Sequence, residues 1–431
     1  MNGGSRFGVL FAWLPALPVF TALLLCGADS AGAQTIGQRG FLEGSSLLFP
    51  QKAPNDATRT VVDFLAREEV FVKPTSWVQF AAGFDLRANS HDEVEDEWRL
   101  DFSDRGVRRP RMSIRRLMAT FTRGRLTLDA GKQFIRWGKT DIINPTDRFA
   151  PRDFLNVVDN EFLAVTGVRA VVLMGSETLE GVWVPRFTPS RVPLLDERWA
   201  VLPPEASFVS IVDAGSVLPG RREAGIRWSH AGAGFECSLS FFDGLNHLPN
   251  IDTRVQTTPA QDQAVVPLRV DVMRVYPVIR AYGADAAVPT RWLTVKGEAA
   301  YFTSRSPGTD EYVLYVVQVE RQSGEWLVVG GYAGEAVTAR RAALTFAPDR
   351  GLTRSFVARA SYTIDSERSA AIEGAARQNA RGAYVKAEYS QARGQHWRAT
   401  VALVVIRGEP DDFLGQFRRN SHVTLDVRYS F

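Results

Sequence analysis

The chain has 431 residues, more than one soluble hydrophobic core usually holds, so either two domains or one large barrel is expected. Its formal net charge of +3 gives no reason to expect a nucleic-acid partner. Hydrophobic residues make up 45% of the chain and the mean hydropathy is −0.12, which is too polar for a helical membrane protein but typical of strands with one apolar face.

Residues 1–33 have the pattern of a cleavable secretory signal. Arg6 supplies the positive charge, Val9–Cys26 is the apolar stretch, and Ala31–Ala33 offers small residues for cleavage. We therefore predict a signal peptide followed by a mature domain, 34–431. An exported chain of this size that keeps one cysteine, and so forms no intramolecular disulfide, indicates a Gram-negative outer membrane.

The mature chain is predicted to be all-β, since no segment has a convincing helical period and alternation of apolar and polar residues is pervasive. The predicted strands are Phe41–Phe49, Val61–Val72, Val78–Leu86, Met112–Thr122, Leu126–Phe134, Leu163–Leu173, Leu179–Phe187, Ala224–His230, Phe235–Phe241, Arg269–Tyr282, Trp292–Phe302, Tyr312–Arg321, Trp326–Val337, Phe356–Ile364, Ala370–Arg377, Ala383–Tyr389, Trp397–Ile406 and Asn420–Phe431.

The last strand shows the alternation most clearly. Its odd-numbered positions, Val423 to Phe431, are apolar or aromatic, and the positions between them are polar. In a soluble sandwich the apolar face would point into a core, whereas in a transmembrane barrel it points to lipid and the polar face to a wet lumen.

The lengths of the connections favour the barrel. Long and tight connections alternate along the chain, as in outer-membrane barrels with long extracellular loops and short periplasmic turns. Counting strands under this rule predicts a transmembrane antiparallel β-barrel of about 18 strands, with 16 as the alternative. Five tryptophans are predicted near strand ends, where aromatic girdles meet the lipid headgroups: Trp77, Trp137, Trp292, Trp326 and Trp397.

The most distinctive stretch is the long connection around Asn144-Pro145-Thr146-Asp147, a turn signature inside a run dense in charged residues. Folded inward, it would place charges across the pore, as a constriction loop does. The alternative is a surface loop held by its own salt bridges. The candidate constriction residues are Arg136, Lys139, Asp141, Asp147, Arg148, Arg152 and Asp153.

This stretch, with its Gly-Lys-Gln, Arg-Trp-Gly and Asn-Pro-Thr-Asp elements, resembles a loop of uncharacterised bacterial outer-membrane β-barrel families of the porin type. The resemblance covers about 25 residues together with the barrel pattern and Phe431. It implies the fold and the compartment, and it brings no substrate.

A second charged region precedes it. The acidic run His91–Glu97 can be read as a Ca²⁺ site or as a solvated loop, and its spacing does not match a Ca²⁺ loop. Among the arginines that follow, Arg115 and Arg116 are adjacent on a predicted strand, so alternation lets only one of them face the lumen.

The sequence thus predicts an outer-membrane porin-like channel for passive diffusion of small hydrophilic solutes. Its predicted contacts are outer-membrane lipid, lipopolysaccharide and the solutes, with no nucleic acid, cofactor, metal or enzymatic activity. The alternative is a non-conducting structural or assembly partner of a periplasmic export or surface complex. The candidate lumen-lining residues are Gln79, Asp85, Arg87, Thr294, Lys296 and Glu298.

Overall fold

The structure is a computed structural model that describes residues 35–201, 209–256, 269–341 and 344–431. The predicted signal peptide therefore lies outside the described residues. Within those ranges, no helix is long and apolar enough to cross a membrane.

In the described part of the chain, eighteen antiparallel strands form one barrel, as predicted. They are β1 Thr35–Leu48, β2 Thr60–Thr75, β3 Val78–Asn89, β4 Met112–Arg123, β5 Leu126–Gln133, β6 Val165–Met174, β7 Glu177–Val184, β8 Glu223–Ala231, β9 Glu236–Leu245, β10 Val278–Pro289, β11 Thr294–Ser304, β12 Glu311–Ser323, β13 Trp326–Ala339, β14 Ser355–Thr363, β15 Arg368–Arg377, β16 Gly382–Arg393, β17 Trp397–Gly408 and β18 His422–Ser430.

Pairing of the last strand with the first closes the barrel. The register of β18 on β1 runs from Ser430 opposite Phe41 to Val423 opposite Leu48. Beyond the strand, the backbone N–H of Phe431 donates to the carbonyl of Gly40 at 3.0 Å. Each remaining strand pairs with its two neighbours, so the barrel has no open edge.

The two faces of the wall have opposite character. On β12, Val317 is 52% exposed on the outside, whereas Leu314 and Gln318 on the inside are buried. The same alternation places the exposed Leu403 and Leu425 outside on β17 and β18. The outer face is thus apolar and suits lipid, while the inner face carries buried polar side chains, among them Asp85, Asp129, Glu180, Asp285, Glu298 and Gln318.

The tryptophan prediction is confirmed for four of its five positions. Trp77, Trp292, Trp326 and Trp397 are all at least half exposed and lie at the short turns, where they form one aromatic rim. Trp137 is different, because it lies inside the barrel and is 2% exposed.

The alternation of connection lengths holds with two exceptions. The chain passes between strands in two to four residues at one end, as at 76–77 and 324–325. At the other end most connections are long, but 305–310 and 378–381 are short. We call the two ends of the barrel the short-turn end and the long-connection end.

The long connections contain secondary structure of their own. One predicted strand was wrong for this reason. The segment 269–282 was expected to be a single strand, but Arg269–Val275 belongs to a small four-stranded sheet and β10 begins only at Val278. Pro277 stands between the two and cannot donate to a strand ladder. The other strands of this sheet are Ser210–Val217, Asn250–Gln256 and Leu344–Thr345.

We expect Leu403→Arg to lower the free energy of unfolding of the barrel in lipid vesicles by about 2–4 kcal/mol, since Leu403 lies at the middle of β17 on the lipid face. Thr400→Arg, on the lumen face of the same strand, should change it by less than about 1 kcal/mol. Urea unfolding in vesicles measures both. Equal losses in the two variants would contradict the assignment of the faces.

Candidate functional site

Residues 134–164, the connection between β5 and β6, fold back into the barrel; we call them the inner loop. Side chains on the lumen face of distant strands bind it: Arg87 on β3, Glu180 on β7, Glu298 on β11 and Lys386 on β16. Because these strands stand around most of the circumference, the inner loop lies across the lumen.

An aromatic cluster holds the first part of the inner loop. The ring of Trp137 packs edge-on against Phe149 at 5.1 Å, and Phe149 packs against Phe242 of β9 at 5.0 Å. The indole N–H of Trp137 donates to Glu180 Oε1 at 2.6 Å, which satisfies the one polar atom of that buried ring.

Two glycines of the wall let the loop approach closely. A Cβ on Gly225 of β8 would lie 2.6 Å from Trp137, and one on Gly283 of β10 would lie 2.7 Å from Thr146. A larger residue at either position would push the inner loop off the wall. In the sequence these glycines have no distinguishing local pattern.

The Asn144-Pro145-Thr146-Asp147 turn closes the loop on itself, as its turn chemistry predicts. Asp147 accepts hydrogen bonds from the backbone N–H groups of Trp137 and Gly138, the second at 2.6 Å. Asn144 donates to the carbonyl of Thr140. These bonds join the two ends of the turn segment.

Glu298 binds the turn to the wall. Its Oε2 accepts the backbone N–H groups of Lys139 at 2.7 Å and Thr140 at 3.0 Å, and its Oε1 accepts the backbone N–H and the hydroxyl of Thr146, both at 2.9 Å. Glu298 is 3% exposed. A buried carboxylate is stabilised when hydrogen bonds satisfy its oxygens in this way.

The neighbouring strands add further anchors. Gln318 of β12 accepts the backbone N–H of Asp141 at 2.9 Å and donates to its carboxylate at 2.5 Å. Lys296 of β11 lies 3.2 Å from the same carboxylate, and Lys139 forms an ion pair with Glu236 of β9. The predicted residues Lys139 and Asp141 therefore attach the loop to the wall.

The predicted arginines each lie over an aromatic ring. The guanidinium carbons of Arg136 and Arg152 lie 4.1 and 4.2 Å from the ring centre of Phe162. Arg148 lies 4.9 Å from the ring centre of Phe302 on β11. The Arg136 side chain is 48% exposed, and its Nε lies 3.4 Å from Asp147 Oδ2.

Asp153 belongs to a buried ion-pair network that joins three connections. Arg109 and Arg191 donate to it at 2.9 and 3.1 Å. Arg191 also pairs with Asp104 at 3.0 Å, and Lys132 pairs with Asp104 at 2.6 Å. The structure thus places Asp153, 4% exposed, among residues that hold the connections together.

Glu161 attaches the end of the loop to the opposite wall. It pairs with Arg87 of β3 at 2.8 Å and Arg67 of β2 at 3.3 Å, and it lies 3.9 Å from Arg115 of β4. Arg67 also binds Asp85 of β3 at 2.7 Å. The predicted lumen residues Asp85 and Arg87 therefore take part in a charge cluster that holds the inner loop.

The expectation that only one of Arg115 and Arg116 can face inward is wrong, and a β-bulge is the reason. Gly83 of β3 pairs with Arg116 and the next residue pairs with Ile114, which leaves Arg115 as the extra residue. Both guanidinium carbons lie over the ring of Phe134, at 4.9 and 5.3 Å.

Two cavities of about 300 Å³ each flank the last part of the inner loop. The apolar cavity is lined by residues such as Ile142, Phe154 and Phe413, and the polar cavity by charged strand residues such as Glu43 and Arg428. Within 156–161, Val157, Val158 and Asn160 line the apolar cavity and Asn156, Asp159 and Glu161 line the polar one. Segment 156–161 thus separates the two cavities.

Asp159 attaches segment 156–161 to the wall, because Lys386 of β16 donates to its carboxylate at 2.6 Å. Trp199, from the connection between β7 and β8, borders both cavities and is 3% exposed. Sequence reasoning did not single out Asp159, Glu161 or Trp199, since no local pattern distinguishes them from other loop residues.

The predicted lumen-lining residues lie on inward-facing positions of two strands: Gln79, Asp85 and Arg87 on β3, and Thr294, Lys296 and Glu298 on β11. Period-2 alternation alone finds such positions. It would also have found Glu180 and Gln318, which share the inner face of β7 and β12.

The surrounding charges keep the loop carboxylates ionised. Burial alone would raise the pKa of Glu161, but Arg87, Arg67 and Arg115 outweigh it and lower the pKa to about 2. At Asp153, too, burial acts to raise the pKa. The positive charges of Arg109 and Arg191 outweigh burial and hold this pKa well below its ordinary value.

We expect Glu298→Ala to release the inner loop from β11. Hydrogen bonds to a charged group contribute about 1.5–3 kcal/mol each, so amide hydrogen exchange at Lys139, Thr140 and Thr146 should accelerate roughly tenfold or more. Hydrogen–deuterium exchange with mass spectrometry measures this. Asp285→Asn is the matched control, since Asp285 of β10 is 5% exposed and its partners Arg227 and Ser238 are both on barrel strands. Similar acceleration in the control would contradict a specific role for Glu298.

The attachment by Glu161 should fail only in acid. Its folded-state pKa of about 2 lies below its ordinary value near 4.5, so its stabilising contribution is complete above pH 4.5 and is lost as the pH falls toward 2. The excess stability of wild type over Glu161→Gln, measured by urea unfolding in vesicles, should stay constant from pH 7 to pH 5 and then disappear. A difference that is unchanged at pH 2 would exclude this account.

Comparison with solved structures shows what kind of barrel this is. The chain is similar to OccAB4 of Acinetobacter baumannii (TM-score 0.52, 10% identity, 93% of this chain and 100% of that one) and to a BenF-like porin from Pseudomonas fluorescens Pf-5 (0.53, 9%, 94% and 99%). It is equally similar to OccK9 (OpdG) of Pseudomonas aeruginosa (0.52, 11%, 93% and 98%). No protein-family model and no curated protein matches the sequence. The chain has the fold of bacterial outer-membrane porins, and its apolar exterior suits a lipid bilayer.

Proposed function

We propose that the protein is a channel through which small hydrophilic solutes diffuse passively across the outer membrane. The porin fold, the apolar exterior and the polar inner face support this function. An 18-stranded barrel is wide enough to hold an aqueous lumen when nothing fills it. What passes is then decided by the structure inside the lumen.

The observation that carries the proposal is the course of the inner loop. It is bound to the wall on β3, β7, β11 and β16, and its segment 156–161 separates two cavities of about 300 Å³. Pockets of this volume match small molecules rather than oligomers. The constriction then comprises segment 156–161 as well as the predicted 136–153.

The predicted constriction residues form two groups that differ in their contacts. Arg136, Arg148 and Arg152 are proposed to face the permeating solute, since the first is half exposed and the other two line the apolar cavity. Lys139, Asp141, Asp147 and Asp153 are proposed to set the position of the loop through their wall and network contacts.

The polar cavity supplies charges of both signs. Arg87, Lys386, Arg428, Glu43 and Asp426 all line it, and Arg428 pairs with Glu43 of the neighbouring strand. Such a charged wall favours a polar solute over an apolar one, because an apolar solute displaces the water that solvates the wall charges. Contact of the outer surface with lipopolysaccharide remains a prediction.

The test is single-channel conductance of the refolded mature protein in a planar bilayer. Wild type should conduct steadily. Lys386→Ala removes a positive charge and the partner of Asp159, so conductance should rise and the reversal potential in a salt gradient should shift toward cation selectivity.

Lys73→Ala is the matched control, because Lys73 is exposed near the short turn after β2. It should leave conductance and selectivity close to wild type. Folded, heat-modifiable wild-type protein that never conducts would contradict the channel and favour the non-conducting assembly partner.

A further inference from the structure

Three metal-ligating side chains from two long connections come together beside the polar cavity. They are His91 and Glu93, from the connection between β3 and β4, and Glu197, from the connection between β7 and β8. One ligand atom from each lies within 4.8 Å of the other two. Glu93 and Glu197 are 6% and 4% exposed.

Glu197 is the unusual member of the group. Both of its carboxylate oxygens are buried, and neither has a hydrogen-bond partner. A buried carboxylate without partners is unfavourable by several kcal/mol, so such a group calls for a ligand or a proton. Burial, together with Glu93 and Asp196, raises the pKa of Glu197 to about 9. The position of its carboxylate next to His91 and Glu93 points to a cation as the missing partner.

The ring of His91 lies between two carboxylates. Its Nε2 lies 2.9 Å from Asp56 Oδ2, and its Nδ1 is turned toward Glu93 Oε1 at 3.9 Å. A metal-binding histidine usually has a carboxylate beside the ring nitrogen that does not bind the metal, and Asp56 Oδ2, which has no hydrogen-bond partner, has this position here. Asp56 is itself 8% exposed.

We propose that His91, Glu93 and Glu197 bind one divalent transition-metal ion of the Zn²⁺ type. Imidazole nitrogen with carboxylate oxygens is a donor set for Zn²⁺ and its neighbours in the first row, whereas Ca²⁺ takes oxygen ligands. Donor atoms bound to one Zn²⁺ lie about 3.4 Å apart. The three ligand atoms lie within 4.8 Å of one another, so the side chains close in by up to about 1.4 Å when the ion binds.

The neighbouring cations are compatible with this site. Arg109 is 2.6 Å from Glu93 Oε2 and 2.9 Å from Asp153, so two carboxylates already neutralise it. Arg198 lies 3.4 Å from Asp56. His91 and Glu93 also line the polar cavity, which gives an ion a path from the lumen.

The ion would tie together two connections that meet at the long-connection end. Without it, the same geometry is explained by an imidazolium held between Asp56 and Glu93 and a protonated Glu197. The two explanations differ in one measurable respect, since only the first predicts stoichiometric binding of a metal.

The experiment uses the full mature barrel without a histidine tag, refolded in detergent and stripped with a chelator. Titration calorimetry with ZnCl₂ should show one ion bound per chain, and Zn²⁺ should raise the thermal midpoint of unfolding. Glu197→Gln and His91→Gln should weaken binding at least tenfold. Asp56→Asn, which leaves all three ligands in place, should weaken it by about 10–100-fold.

Glu97→Gln is the matched control: Glu97 belongs to the same acidic run, its side chain is 72% exposed, and it is not among the three ligands. It should bind Zn²⁺ as wild type does. Absence of saturable binding by wild type would overturn the proposal, as would binding that is unchanged in His91→Gln and Asp56→Asn. Tighter binding of Ca²⁺ than of Zn²⁺ would overturn the assignment of an imidazole-ligated site.

Discussion

The whole structure depends on closure of the hydrogen-bonded ladder. In lipid no water satisfies a backbone N–H or C=O group, so a strand wall must have no edge. Pairing of β18 with β1, extended by the bonds between Phe431 and Gly40, meets this requirement. Because the outer face is apolar, the polar side chains of the strands point inward. The lumen is therefore lined with charged groups.

Those inward charges are what the inner loop binds to. Glu298 and Gln318 accept backbone N–H groups that a loop inside a protein would otherwise leave unsatisfied, and Glu161 takes its arginine partners from the far wall. The interior is therefore organised by hydrogen bonds and ion pairs together with aromatic clusters such as the one around Trp137. Removing one partner of a buried charge is costly, so the position of the loop is well determined.

Much of the fold could be predicted because lipid on one side and water on the other enforce strict alternation along each strand. Eighteen strands and the exposed rim tryptophans follow from that pattern. The errors occur where another constraint acts: Pro277 ends the ladder before β10, a bulge at Arg115 breaks the alternation, and an acceptor, Glu180, draws Trp137 inside.

The sequence by itself determined most of the strands, most of their inner and outer faces and the turn at Asn144–Asp147, because each depends on neighbours within a few residues. Only the tertiary structure decided what the inner loop touches. The pairs Glu298–Thr146, Lys386–Asp159 and His91–Glu197 join residues far apart in the chain. Their proximity follows from the circular order of the strands, and local sequence patterns carry no information about that order.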